Sequence, residues 1–335
     1  MKTNTLITIL VITLLLLLSL VAALTIGAAN LDVADVFASL FGLAGENSSL
    51  THSIVWQLRM PRSILAFVAG GGLALAGLIL QTVTRNPLAD PYLFGISSGA
   101  SFGVVVAMAV TGVTLTFYLS VAAFLGALLA IVLLLLIAGF SRNQQVESML
   151  LAGVALSFLF SAFTSLLLYW SDPQAVTAIL FWTLGSFARA DWSSLWIPVS
   201  VVLVCLVFML AQQRRLTALL LGDESAVTLG INVSQLRILM LLLSSLLTAS
   251  IVALCGGIGF VGLMIPHIVR FFINQGHRWS YAVTALVGGI FMLWVDILSR
   301  IVLPNQELPI GIITAAIGSV FFLTLLYSRK NQSRI

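Results

Sequence analysis

Charge is the scarcest property of this 335-residue chain: Asp, Glu, Lys and Arg together make up 8% of it, against 60% hydrophobic residues. A water-soluble domain carries about 25% charged residues, so a membrane-embedded chain is indicated. Lysine occurs only at Lys2 and Lys330. A phosphate-binding GxxxxGK[ST] loop needs an internal lysine, so this chain cannot hydrolyse ATP by a P-loop. The two cysteines, Cys205 and Cys255, sit in separate apolar runs and offer neither a CxxC metal site nor a disulfide framework. His52, His267 and His277 are scattered and form no HExxH. A net charge of +4 is too small to point to nucleic acid. Carboxylates deep in a span, which proton- or sodium-coupled transporters usually need, are missing except for Asp296. That residue lies near the end of its run, four residues before Arg300, a spacing that suits an ion pair along a helix. The ion-coupled secondary transporter is weakened by this, and a polytopic membrane enzyme by the lack of any catalytic cluster.

What the chain has in abundance is apolar length. A spanning helix needs about 17–25 apolar residues, because backbone polar groups cannot stay unpaired in lipid. The runs predict ten helices near 6–29, 63–83, 92–113, 115–140, 146–170, 193–211, 235–255, 258–273, 280–303 and 308–327. The eighth is short, opens with CGGIG and contains Pro266. The first exceeds the ~7–15 apolar residues of a signal peptide and reads as a retained helix. With the N-terminus inside, Lys2, Arg85, Arg142, Arg214, Arg215, Arg237, Arg270, Arg278, Arg329, Lys330 and Arg334 fall on the cytoplasmic side. Only Arg59, Arg62, Arg189 and Arg300 fall outside, so the positive-inside bias supports a multi-pass protein with both termini cytoplasmic. Trp56, Trp170, Trp182, Trp192 and Trp196 cluster near the outer boundary, as an interfacial belt does. QTVTRNPLADP then becomes the cytoplasmic turn between helices 2 and 3, with Pro87 and Pro91 stopping one helix and starting the next.

Small residues recur at helical spacing. Gly70, Ala74 and Gly77 run along helix 2. Gly153, Ser157, Ser161 and Ser165 run along helix 5, as a close-packing row or as one wall of a polar pathway. His267, at a helix end, is a structural hydrogen-bonding residue or a proton carrier. Between helices 6 and 7, residues of about 214–234 form a cytoplasmic segment, RRLTALLLGDESAVTLGINVSQLR. Asp223 reads as an N-cap, Glu224 to Leu229 as a short helix and Gly230 as its stop. Its own charges are acidic, unsuited to anionic lipid, so a protein partner is the better expectation.

Six stretches together resemble the permease subunits of ATP-driven (ABC) importers for iron–siderophore complexes, haem and cobalamin. They are LRMPRSILAFVAGGGLALAG, QTVTRNPLADPYLFGISSGAS, FWTLGSFARADW, LGDESAVTLGINV, GFVGLMIPHIVR and ELPIGIITAAIG, in the family's order from about residue 58 to 318. The resemblance implies an all-α polytopic protein with the ten-helix type II ABC importer permease fold, residues 1–335 forming one permease domain of the inner or plasma membrane. It implies a second permease subunit (homodimer favoured, heterodimer possible), two cytoplasmic ATPases that carry the ATP and Mg, and an external binding protein. No catalytic residue, metal or cofactor is expected in this chain. Leu221, Gly222, Asp223, Glu224, Ala226, Leu229 and Gly230 would couple to the ATPase. Asn86, Leu88, Ser141, Arg142 and Asn143 would form an inner gate, with Ser157, Ser161 and Ser165 lining the pathway. Arg59, Arg62 and Arg300 would receive acidic residues of the binding protein. The leading cargo is a ferric siderophore, then haem or cobalamin. Where the family commonly has Gly-x-Pro in the last helix, this chain has Gly318, Ser319 and Val320, so a kink there is not expected.

Overall fold

The computed structural model describes residues 2–27, 29, 31–43, 49–111, 116–139, 146–274 and 276–332, and all regular structure among them is helical. Fifteen α-helices follow in order. The first are α1 (Lys2–Thr25), α2 (Val33–Leu40) and α3 (Ser49–Ser53), the last running through a π-helical stretch, Ile54–Arg59, into α4 (Met60–Thr84). A 3₁₀ turn at Pro91–Phe94 leads to α5 (Ile96–Thr111), α6 (Thr116–Gly139), α7 (Val146–Tyr169) and α8 (Pro173–Thr183). Then come α9 (Trp192–Ala211), α10 (Gln213–Leu220), α11 (Asp223–Thr228), α12 (Val233–Cys255), α13 (Val261–Arg270), α14 (Ser280–Ile301) and α15 (Ile310–Gln332). By length and composition, seven helical stretches can cross a membrane. Three shorter apolar ones, Leu10–Thr25, Ile96–Val110 and Val261–Arg270, accompany them.

The α4 helix is the axis. From Ser63 to Val83 nearly every residue is buried, which an apolar helix with no polar face requires. Glycine lets its neighbours approach to backbone contact. A Cβ on Gly70 would lie 2.1 Å from the Gly288 carbonyl oxygen of α14, and one on Gly77 would lie 1.9 Å from that of Gly262 in α13. The small residues of helix 2 therefore serve close packing, as small residues do where dispersion rather than water drives association. Gly77→Ala should force α13 off α4 and lower the melting temperature in detergent, overpacking costing about 1–3 kcal/mol. Gly259→Ala, where an added Cβ meets nothing within 4 Å, should melt like the parent. Equal melting of both variants would contradict this packing.

A second core gathers α5, α6 and α7 around Phe94, Val104, Ala127 and Phe160. At its centre Gly99 and Gly126 are pressed together. Four spans are left largely uncovered: 17% of the α15 span, 22% of α7, 28% of α9 and 33% of α6 are buried, against 83% for the span containing α4. The second span begins earlier than predicted, through α3 and the π-helical stretch, and two separate helices appear that periodicity and run length did not predict, α2 and α8. Both are too short to register as spans, and both begin at an aspartate N-cap, Asp32 and Asp172, whose carboxylate accepts from the backbone N–H two residues on. The short eighth span is a ten-residue helix, because Gly256 and Phe260 take positive φ (73° and 68°) ahead of it. Helix α15 runs through Gly318–Val320 without interruption.

Candidate translocation and coupling site

The opening of RNPLADP is built by local chemistry. Arg85 closes α4 in the left-handed region (φ 50°). The Asn86 Oδ1 accepts from the Leu88 N–H at 2.9 Å, and the Asp90 Oδ1 accepts from the Tyr92 N–H at 2.8 Å, capping the 3₁₀ turn. Leu88 is left exposed. Asn86 and Leu88 thus stand at the head of one turn. Ser141, Arg142 and Asn143 lie outside the described residues.

Arg85 ties that turn to the segment 214–234. Its guanidinium meets the Asp223 carboxylate at 3.2 Å, and Arg237 of α12 meets the same carboxylate at 3.1 Å. Asp223 is therefore not the N-cap that its position suggests. Gly222, at φ 115°, takes that place with no side-chain bond, and Asp223 enters the first turn with its carboxylate free to bridge two arginines. A carboxylate there also suits the positive end of the helix dipole. Gly230, at φ 76°, follows the end of α11, where a left-handed glycine commonly stops a helix. Ala226 is a second correction. It is fully buried against the chain's own core, so it seats α11 and presents nothing outward. The exposed apolar residues are Leu221, Val227 and Leu229, and Glu224 is exposed beside them. Val227 escaped the sequence reading; it is exposed, about 100° round the helix from buried Ala226.

At the other end of the molecule the structure overturns the expectation for Arg59, Arg62 and Arg300. All three are buried. Helix α1 ends with carbonyls that have no intrahelical donor, and arginines supply what is missing. Arg59 donates to the carbonyls of Leu24 (2.6 Å), Thr25 (2.8 Å) and Ala29, and Arg300 to that of Ala23 (3.1 Å). Arg62 bonds Asp296 at 2.8 Å, Glu307 at 2.6 Å and the Ser299 hydroxyl at 3.3 Å. Asp296 also pairs with Arg300 at 3.1 Å. The arginine forks brace α1, α4, α14 and the α14–α15 loop, and are not open to a docking partner. Asp296, fully buried between two arginines, is likewise spoken for.

Three of the six sequence stretches meet between these two ends, at the loop that precedes α13. The Ser186 N–H donates to the Cys255 carbonyl at 2.8 Å, Ile310 N–H to Gly185 at 3.0 Å, Gly311 N–H to Leu184 at 2.9 Å, and the Tyr92 hydroxyl accepts from the Ile258 N–H. Glycine is required at this junction: a Cβ on Gly185 or Gly311 would come within 2.6 or 2.8 Å of the Gly257 carbonyl.

The serine row of α7 does not keep to one face. Steps of four residues advance an α-helix by about 40° beyond a full turn. Gly153 is buried, Ser157 half-buried with its hydroxyl donating to the Gly153 carbonyl (2.9 Å), and Ser161 and Ser165 are exposed. Two serines of the three therefore reach the uncovered side of α7.

The described residues form an all-helical bundle around one axial helix, with largely uncovered spans and exposed apolar residues beside a short helix. Residues 14–328 match the FecCD transport family, and the chain belongs to it. It is 36% identical over 321 residues to the hemin transport system permease protein HmuU of Yersinia pestis, covering 94% of this chain and 95% of that protein. It is 38% identical over 323 residues to the molybdate import system permease protein MolB of Haemophilus influenzae, covering 95% of each. A solved structure, an inward-facing metal-chelate type ABC transporter, superposes with a TM-score of 0.83 at 35% identity, covering 95% of this chain and 97% of that one. The chain is thus a multi-pass ABC importer permease, a transport component and not an enzyme.

Proposed function

We propose that this permease carries a ferric siderophore or a similar metal chelate from an external binding protein into the cytoplasm, driven by ATP on a separate chain. Residues 1–335 form one domain of ten membrane-crossing helices in the inner or plasma membrane, with both termini cytoplasmic. Two copies pair through α7 and α15, the two least buried spans, with Ser161 and Ser165 facing the route between them. Asn86 and Leu88 stand at its inner mouth. Two ATPase subunits, holding ATP and Mg, dock on Leu221, Val227 and Leu229.

The observation that carries this reading is the Arg85–Asp223–Arg237 bridge. It links an exposed docking helix to the turn that ends the central helix, in a chain with no P-loop of its own. Haem or cobalamin fits the same machinery. Relatives whose names specify hemin and molybdate are about equally similar to this chain, so cargo choice resides largely in the binding protein. A wide, weakly binding route also suits a large chelate, because tight binding within the permease would slow release.

Sealed vesicles bearing the permease, its ATPase and its binding protein should take up a ferric hydroxamate, haem or cyanocobalamin when ATP is enclosed with the ATPase. Uptake should stop without ATP even under a maintained ion gradient. Uptake driven by the gradient alone would refute the reading.

A further inference from the structure

One crevice among the described residues is not explained by transport. About 480 Å³ opens between α6 and α9, floored by Leu65 of α4 and Ala253 of α12. Its walls are Phe117, Val121 and Trp196, all exposed. It lies away from α7 and α15, on helices whose outward faces are apolar at Leu125, Leu129, Val132, Leu203, Val204 and Val207. In the topology of the proposed function that apolar wall faces lipid.

The mouth of the crevice is polar, and of both signs. Arg189 lines it, exposed and without an ion-pair partner among the described residues. Asp191 lines it too, capping α9: its Oδ1 accepts from the Ser194 N–H and the Ser193 hydroxyl, both at 2.7 Å. Slight burial works to raise the pKa of this carboxyl, but the bonds from Ser193 and Ser194 outweigh it and hold the group below its ordinary value. It is therefore ionised, and a carboxylate with two bonds keeps acceptor capacity for a further donor.

We propose that this crevice holds one phosphatidylethanolamine of the outer leaflet, with its phosphate on Arg189, its ammonium on Asp191 and an acyl chain between α6 and α9. A guanidinium and a carboxylate at one mouth match a zwitterion, whereas a headgroup without an amine would leave the Asp191 charge unbalanced beside the phosphate held by Arg189. The volume falls in the range of small-molecule sites, enough for part of one chain. The side walls open toward lipid, which a lipid can enter from the bilayer. The outward placement rests on the topology of the proposed function, but the readout is bound lipid and is independent of whether uptake succeeds.

The full-length permease, extracted and washed in detergent, is examined by native mass spectrometry after reconstitution with equal phosphatidylethanolamine and phosphatidylglycerol. One phospholipid per chain should persist, mostly phosphatidylethanolamine. Val121→Trp, which fills the crevice, and Arg189→Glu should each lower retention about ten-fold, the scale of one lost charge-assisted contact. Asp191→Ser keeps an N-cap residue and should retain lipid while losing the preference for the amine. Loss of all lipid by the parent, equal retention of the two lipids, or full retention in Val121→Trp would overturn the proposal. So would Arg189→Glu slowing association of the binding protein with retained lipid unchanged, since the mouth would then belong to a protein partner.

Discussion

Asp223→Ala should cut ATP-driven uptake about ten-fold while the permease still folds and still binds its ATPase, a size typical of coupling free energies of about 1–3 kcal/mol between sites. The Arg85–Asp223 pair is 45% and 42% exposed and adds about 0–1 kcal/mol to stability; Arg237, 10% exposed, also loses this partner, so Asp223→Ala should melt somewhat lower than Arg85→Ala while still folding. The docking residues Leu221, Val227 and Leu229 are untouched. What disappears is the link by which a displacement of α11 pulls on Arg85 and so on the turn at Asn86 and Leu88. Arg85→Ala removes the same link from the other side and leaves Arg237 in place, so it should reproduce the defect. The double variant should be no worse than either single one, the signature of two residues acting through one contact. Uptake per ATP hydrolysed is the quantity to measure. Normal uptake in Asp223→Ala, or additive losses in the double variant, would mean that force travels elsewhere.

Arg62→Glu should prevent accumulation of a folded permease. It would set a third carboxylate beside Asp296 and Glu307, and leave fully buried Asp296 with Arg300 alone. Breaking a buried pair by removing one partner costs about 3–5 kcal/mol, and a charge reversal adds repulsion, enough to exhaust the stability of many domains. Glu307→Gln should be far milder, because the Glu307 side chain is 45% exposed and water can replace part of the loss. Fluorescence-detected size exclusion with a thermal ramp distinguishes the two outcomes. A docking arginine would give the opposite pattern for Arg62→Glu: a fully folded permease, unchanged melting, and only slower association with the binding protein. That result would return Arg62 to the outer surface.

Much of this architecture is legible in the sequence, because a bilayer leaves few alternatives to apolar helices. The turn RNPLADP and the glycine-flanked DESAVT can be read for the same reason: in so apolar a chain, each polar interruption has a place. The fate of the outer arginines could not be read. Whether a helix-end arginine reaches solvent depends on what lies over it, and Arg59 is covered by carbonyls at the end of α1, 34 and 35 residues earlier in the chain. Nor could the short helices α2 and α8 be found, since neither spans a membrane. Ala226 could have been placed more carefully, because the small residue of an exposed apolar helix is often the one that packs inward. The drift of the α7 serines follows from helix geometry alone. Intervals of four look strict on the page and spiral on the cylinder.

The central claim is that ATP on another chain switches a route along the uncovered face of α7 between an open and a closed state. The most direct measurement is the labelling of Ser161→Cys and Ser165→Cys by a membrane-impermeant thiol reagent in the assembled importer, with Leu159→Cys and Leu166→Cys, exposed on an apolar flank of the same helix that lipid covers in this account, as controls. The account predicts that the two serine positions are labelled without nucleotide and protected several-fold when ATP is trapped on the ATPase, a population shift of about 1–2 kcal/mol. The two leucine positions should stay unlabelled throughout. Labelling of all four positions alike, or labelling at the serines that ignores nucleotide, would contradict it.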